Sequence, residues 1–369
     1  MRARNLLIVV GIFFSSIRGV AGTAHAQGQA PQTINTRLEV RIVGSNLGVT
    51  MKDIVAAADS PTWTGYEVAG VPEEHGDCCG NYREEANGQS NGVWHLEKEH
   101  GNGSGSPRSK NDAKLEGGSK LWILYRADKN HIERIRIMSN QCQLDAGGLR
   151  LIWLKDVKSE ESVRFLSEFV QGRENLGGDE NRIGEQALTA IALHADASAD
   201  RALEGFSSSG QPEGIRKRAS FWMGSARGAA GLAQLEKMAK TDPSSDVRAQ
   251  VSFALFVSKE PGATEGMIRM AREDGSPHVR GQALFWLAQK AGSKAEIAIA
   301  RAITNDPDTE VKKKAVFALS QMPKDEGVPK LIEVAEKNKN PEVRKQAMFW
   351  LGQSGDPRAL QFFERVLSN

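Results

Sequence analysis

The chain has 369 residues, with 48 Lys+Arg against 46 Asp+Glu and a formal net charge of +2. That length suits two domains, or one domain joined to an extended array. The balanced charge argues against a strongly basic nucleic-acid-binding face, so nucleic acid is not expected among the partners.

Residues 1–26 read as a signal peptide. Arg2 and Arg4 supply a positive start, Leu6 to Ile17 an apolar run, and Ala24-His25-Ala26 a small-x-small cleavage pattern. Arg18 ends the run well short of the roughly 20 apolar residues that span a bilayer, so stable membrane insertion is not expected. Cleavage after Ala26 would export the chain to the periplasm or the exterior.

Residues 27–157 read as a small antiparallel β domain. Leu38 to Ile42 alternates apolar and polar residues. Leu121 to Tyr125, a turn at Asp128-Lys129-Asn130, and Ile132 to Ile137 form a predicted β-hairpin. Leu149 to Leu154 supplies another strand, with weaker candidates at Trp63 to Val71 and Val93 to Leu96. Between them, Gly101 to Gly118 is rich in Gly, Ser, Lys and Asn and is expected to be a loop.

The chain's three cysteines, Cys78, Cys79 and Cys142, all fall in this domain. In an oxidising compartment the expectation is one disulfide from Cys142 to Cys78 or Cys79, with one thiol left over. A metal- or thiol-dependent enzyme or redox module built on these cysteines with His75, His95 and His100 is the alternative. Its spacing is poor, because adjacent cysteines rarely chelate one tetrahedral ion. No cofactor is expected. The sequence contains no GxSxG, HExxH, P-loop or dinucleotide fingerprint, and the chain is expected to bind rather than to catalyse.

Residues 158–369 read as an all-α solenoid of six 32-residue repeats. The anchors are Ile183, Ile215, Val247, Val279, Val311 and Val343, each 32 residues after the last. Four residues on stands Ala187, Ala219, Val251, Ala283, Ala315 or Ala347, and eight on stands Ile191, Met223, Leu255, Leu287, Leu319 or Leu351. These offsets share one helix face. Pro243, Pro277, Pro307 and Pro341 precede anchors, as suits a helix entrance. A second helix precedes each anchored one, Ser162 to Val170 supplies the first of these, and Pro357 to Leu367 ends the array as a cap.

The segments Asp246-Val247-Arg248, His278-Val279-Arg280, Glu310-Val311-Lys312 and Glu342-Val343-Arg344, with the offsets above, resemble HEAT repeats. The likeness is to the short HEAT-like repeats first associated with phycobilisome lyases, and it covers about half the chain. It implies a right-handed superhelix with the anchored helices on its concave side. The N-terminal part also looks like a domain of exported bacterial repeat proteins, through Trp63-Thr64-Gly65-Tyr66, Cys78-Cys79 and Cys142 to Gly148.

Three further lines run along the repeats. Seven residues past each anchor, Ala190, Trp222, Ala254, Trp286, Ala318 and Trp350 alternate small and large, which reads as interlayer packing. Six past it, Phe221, Phe253, Phe285, Phe317 and Phe349 recur, a candidate partner-binding stripe. One past it, Arg216, Arg248, Arg280, Lys312 and Arg344 form a basic line. In HEAT-like repeats this residue bonds an acid or a turn carbonyl, and Asp246, Glu310 and Glu342 are near enough to serve. The line is also a candidate for partner binding. The fold class is thus α+β. The expected function is an exported scaffold holding a protein or peptide in its concave groove, alone or within an envelope complex.

Overall fold

The computed structural model describes residues 30–44, 46–71, 93–97, 120–140, 143–171, 179–290 and 292–368. The predicted signal peptide, Cys78, Cys79, Cys142, His75, His100 and the stretch 101–118 lie outside these residues.

The N-terminal part is built from β1 (Thr33–Ile34), β2 (Arg37–Ile42), α1 (Leu47–Ala56), β3 (Thr62–Ala69), β4 (Val93–His95), β5 (Lys120–Asp128), β6 (His131–Ser139), β7 (Gln143–Asp145) and β8 (Arg150–Lys155). The predicted hairpin is β5–β6. Its two turn residues, Lys129 and Asn130, both have positive φ (49° and 65°), as a tight hairpin turn requires.

The expectation of a wholly antiparallel unit needs correction. The five-stranded sheet has the order β2-β8-β3-β5-β6, and β8 runs parallel to both β2 and β3. A smaller sheet, β1-β7-β4, is parallel throughout. The cause lies in α1, a crossover helix between β2 and β3 capped by the Asn46 side chain on the Val49 N–H. A crossover returns the chain in its original direction, and β8 then fills the gap between the two strands.

Side chains alternate across the larger sheet. Trp63, Trp122, Leu124, Leu151 and Trp153 face the smaller sheet, meeting Trp94, Leu96 and Leu144. Gly65 sits in that layer because a Cβ there would lie 3.0 Å from Leu124 and 3.1 Å from Trp153. Tyr66, Ile123, Tyr125, Ile135 and Ile152 face the helices instead.

The helices are α2 (Ser159–Val170), α3 (Asp179–Leu193), α4 (Ala197–Phe206), α5 (Glu213–Ala226), α6 (Gly228–Thr241), α7 (Ser245–Val257), α8 (Ala263–Glu273), α9 (Pro277–Lys290), α10 (Ser293–Asn305), α11 (Thr309–Ser320), α12 (Lys324–Lys337), α13 (Pro341–Gln353) and α14 (Pro357–Leu367). They form six helix pairs and a last helix. All six anchors and the residues four and eight beyond them are buried, as the periodicity predicts. Ser244, Asp308 and Asn340 cap the starts of α7, α11 and α13.

The anchored helices α5, α7, α9, α11 and α13 stack on one another in a single layer. A further 32-residue line sets the turn into the other layer: Gly231, Ala263, Ala295, Gly327 and Ala359, all buried. A Cβ on Gly231 would lie 2.0 Å from the Met223 carbonyl oxygen, and one on Gly327 2.5 Å from that of Leu319. Small residues recur there because successive helices touch backbone to backbone.

The β layer and the solenoid share one hydrophobic core. Tyr66, Ile123 and Ile152 from the sheet, Leu47 and Met51 from α1, and Phe165, Leu166, Ile183 and Ala187 from α2 and α3 belong to the same buried cluster. The Val71 N–H donates to the Leu193 carbonyl at 2.8 Å and the Ala195 N–H to that of Ala69 at 2.9 Å.

Candidate interaction surface

The phenylalanine line is a ladder of stacked rings. Phe221 lies face to face with Phe253, and Phe285 with Phe317, at 6.0 Å each between ring centroids. The tryptophans join these pairs. Phe253 meets Trp286 at 4.7 Å, and Phe317 meets Trp350 at 4.9 Å. Within helices, Phe221 touches Trp222 at 5.2 Å, Phe285 touches Trp286 at 4.8 Å, and Phe349 touches Trp350 at 5.0 Å. The rings therefore run unbroken from α5 to α13.

The alternation of Ala and Trp sets two kinds of step. From α5 to α7 the helices come close: a Cβ on Gly224 would lie 2.1 Å from the Ala254 carbonyl oxygen. From α7 to α9, Phe256 occupies the place of Gly224, and Trp286 stacks on it at 5.0 Å. The indole thus fills a wide step beside another ring. The packing role expected of the tryptophans holds, but large meets large at that contact and small meets small at the Gly224 step. Lys290 closes this site, its Nζ donating to the carbonyls of Phe256 at 3.0 Å and Ser258 at 2.8 Å. Burial there pushes its pKa below the ordinary lysine value.

Phe221, Phe253, Phe285 and Phe317 are half-buried, while Phe349 at the end of the ladder is 53% exposed. Glutamines absent from the sequence-based expectations border the line. Gln250, Gln282 and Gln346 stand three residues before a ladder phenylalanine, and the exposed Gln289, Gln321 and Gln353 four after one. Both spacings share the helix face of the rings. The same 32-residue alignment would have found them.

The basic line serves the framework. Arg216 makes a bidentate pair with Asp242 (2.9 and 3.2 Å), Arg248 with Asp274 (2.7 and 3.0 Å) and Arg280 with Asp306 (2.8 and 2.9 Å). Arg248 and Arg280 also donate to the carbonyls of Asp242 and Asp274, so each guanidinium ties two successive turns together. Arg216 and Arg280 are buried. The acids are not the ones proximity in sequence suggests. Asp246 faces Lys217 and His278 at 3.8 Å each, and Glu310 pairs with Lys313 at 3.0 Å. The partners lie 26 residues on, in the turn of the following pair, where the repeat stacking brings them back. At Lys312 that position holds Asn338, and no carboxylate among the described residues pairs with the lysine.

A third feature has no sequence signal. At the junction of sheet and solenoid, Tyr125, Tyr66, Ser162 and His194 form a buried chain. The hydroxyls of Tyr125 and Tyr66 are 2.7 Å apart, Tyr66 is 2.7 Å from Ser162, and Ser162 is 2.9 Å from His194 Nε2. His194 Nδ1 lies 2.7 Å from the Ala190 carbonyl, which can only accept. Nδ1 therefore carries the proton, Nε2 accepts from Ser162, Ser162 accepts from Tyr66, and Tyr66 accepts from Tyr125. Burial lowers the His194 pKa to about 4. The imidazole is neutral at pH 7, as the chain of donors requires. Serine and histidine are close here, but both are fully buried and every proton has an acceptor, so the chain locks the two parts together.

In the smaller sheet, His95 Nδ1 is 2.7 Å from Asp145, and Asp145 also accepts from the Gly147 N–H at 2.8 Å. Gly147 and Gly148 have φ of 64° and 83°, which explains the paired glycines of the motif ending at Gly148. Among the described residues no group of three His, Cys, Asp or Glu is placed to hold a metal. Among them, too, no helix is long and apolar enough to cross a membrane.

Residues 297–369 match a family of HEAT repeats. No curated protein matches the chain. Human deoxyhypusine hydroxylase in complex with glycerol is 14% identical over 56% of this chain and 90% of that one, with a TM-score of 0.26. The complex of CpcE and CpcF of phycocyanin lyase from Nostoc sp. is 17% identical over 56% of this chain and 80% of that one, with a TM-score of 0.31. Both names denote enzymes. The expectation of a chain that binds without catalysing is corrected accordingly: a helical array of this kind is no mark against catalysis. At these scores the likeness transfers no activity and no residue role to this chain. The matched residues continue the 32-residue register that starts at Ile183, and residues 297–369 are HEAT repeats.

Proposed function

We propose that the HEAT repeats give this chain a scaffold or protein-interaction role. We propose that the chain holds a protein partner along the concave side of its superhelix, with the edges of the ladder rings and the flanking glutamines as the recognition surface. The observation that carries this is the unbroken run of aromatic rings from α5 to α13, which ends on the exposed Phe349. With neighbouring helices about 8–10 Å apart, the anchored helices span roughly 40–50 Å, the scale of a protein partner. The ring edges offer apolar contact, and the amides offer hydrogen bonds to a partner's backbone.

We propose further that the chain meets this partner after export, directed by its first 26 residues. N-terminal sequencing of the mature protein tests the export step, with Gln27 as the expected first residue. For the surface, crosslinking and affinity purification from the native organism should recover one partner with the wild type. Phe349→Ser should lose it without a change in melting temperature. Equal recovery by both chains would count against the ladder as the contact surface.

A further inference from the structure

The larger sheet has an open edge at β2. Among the described residues no strand pairs with its outer side. The Arg37 N–H donates to the Leu149 carbonyl at 3.1 Å and the Val43 N–H to that of Lys155 at 3.0 Å. Strand backbone groups alternate in direction, so Glu39 and Arg41 also turn theirs toward β8. Leu38, Val40 and Ile42 turn their three N–H and three carbonyl groups away from the sheet. The same three residues carry exposed apolar side chains, at 38%, 46% and 72%, all on one face of the strand. Folded proteins blunt such an edge with a proline, a lysine or a bulge. β2 has no proline or lysine, and its register on β8 is unbroken.

The opposite face of β2 is charged. Glu39 accepts from Arg41 Nε at 2.5 Å and from Arg150 Nε at 3.0 Å. All three side chains are partly exposed.

We infer that β2 pairs antiparallel with β2 of a second copy, across a two-fold axis at Val40, and joins two five-stranded sheets into one. In that register Val40 faces its own copy, and Leu38 of each chain faces Ile42 of the other. The outward N–H and carbonyl groups of all six residues then bond one another, and the apolar side chains meet across the axis. On the charged face, Glu39 of each chain stands opposite Arg41 of the other. Moving the axis by one residue sets Glu39 opposite Glu39, or Arg41 opposite Arg41, and like charges directly opposite are destabilising. An isologous contact must be self-complementary. The order Glu39-Val40-Arg41 complements itself in charge, which is why the occupant is a second copy of this chain.

Sedimentation of the full chain over a range of concentrations tests this. The wild type should dimerise. Val40→Lys sets two like charges against each other at the axis and should raise the dimer dissociation constant by about tenfold or more. Arg41→Glu should also weaken the dimer, and adding Glu39→Lys should restore it, because the exchanged pair forms again. Glu39 also holds Arg150, so thermal melts accompany each variant. Val40→Lys, at an exposed side chain without a polar partner in its own fold, keeps the test valid if the charge variants fail to fold. A chain that stays monomeric at every concentration would overturn the inference. So would a dimer indifferent to Val40→Lys, or a strand of a different protein seated on β2 of an otherwise monomeric chain. None of these outcomes bears on the ladder.

Discussion

His194 Nε2 accepts the Ser162 hydroxyl at 2.9 Å, and this bond joins α2 to the end of α3 beneath the sheet. Ser162 in turn accepts from Tyr66, so the donor chain that fixes the histidine tautomer also fixes the β layer on the solenoid. The polar groups of that junction are satisfied only in the docked arrangement.

This chain makes stability depend on pH. His194 has a folded pKa of about 4, because burial outweighs the Ala190 hydrogen bond; nearby Arg227 lowers it further and Asp196 raises it. The ordinary unfolded value is about 6.5, so between the two the unfolded state binds one more proton. Stability should be flat above pH 6.5 and fall by about 3 kcal/mol on going down to pH 4. The carboxylates with lowered pKa, among them Asp145 and Asp196, act only below about pH 4.5. Urea unfolding between pH 7 and 4.5 reads the histidine effect, and His194→Gln should be less stable at pH 7 but flatter with pH.

The basic ladder has a missing rung that can be filled. Lys312→Arg with Asn338→Asp recreates the pair seen at Arg280 and Asp306. The carboxylate introduced by Asn338→Asp can keep the bond that the Asn338 side chain now accepts from the Asn340 N–H at 3.0 Å. The double variant should be more stable than the sum of the single changes by about 1 kcal/mol. A double-mutant cycle by thermal melt measures it. In the other direction, Asp306→Ala strands a buried guanidinium and should cost about 3–5 kcal/mol.

Gly224 and Gly352 occupy the same repeat position in different surroundings. A Cβ on Gly224 would meet the Ala254 carbonyl at 2.1 Å, whereas none of the neighbours of Gly352 comes within 4 Å. Gly224→Ala should separate α5 from α7 and destabilise by about 1–3 kcal/mol. Gly352→Ala should be neutral or stabilising by up to about 1 kcal/mol. Equal effects at the two sites would contradict the close step.

Trp286 stands among Phe253, Phe256 and Phe285. Trp286→Ala should cost about 3 kcal/mol through an unfilled wide step. Ala254→Trp, at the close step, should be at least as damaging, since nothing there can yield room. Thermal melts of the two variants check both.

The solenoid was legible because its anchors, offsets and phenylalanines repeat every 32 residues, and a helix face reads directly from such spacing. Asp242, Asp274, Asp306 and Asn338 follow the same period without revealing their role. Their pairing runs 26 residues forward, and only stacking brings those turns beside the arginines. The β layer was legible strand by strand, including the β5–β6 hairpin. Its parallel pairings were not, because alternation in β2 or β8 says which face is buried and nothing about the neighbour. Nor was α1, whose apolar face under the sheet is set by the crossover. His194 carries no periodic signal. Its role comes from Tyr66 and Ser162, residues distant in sequence that meet only when sheet and solenoid dock.

A protein partner seated against the ladder must come within reach of the glutamines that flank it. Site-specific photocrosslinkers placed at Gln289, Gln321 and Gln353 in the native organism probe that contact, with Lys237, Arg272 and Lys337 on the other helix layer as controls. The three glutamine sites should crosslink to one common protein, and the controls should not. Crosslinks to that protein from the control sites, with none from the glutamine sites, would place the partner elsewhere and refute the ladder as its seat.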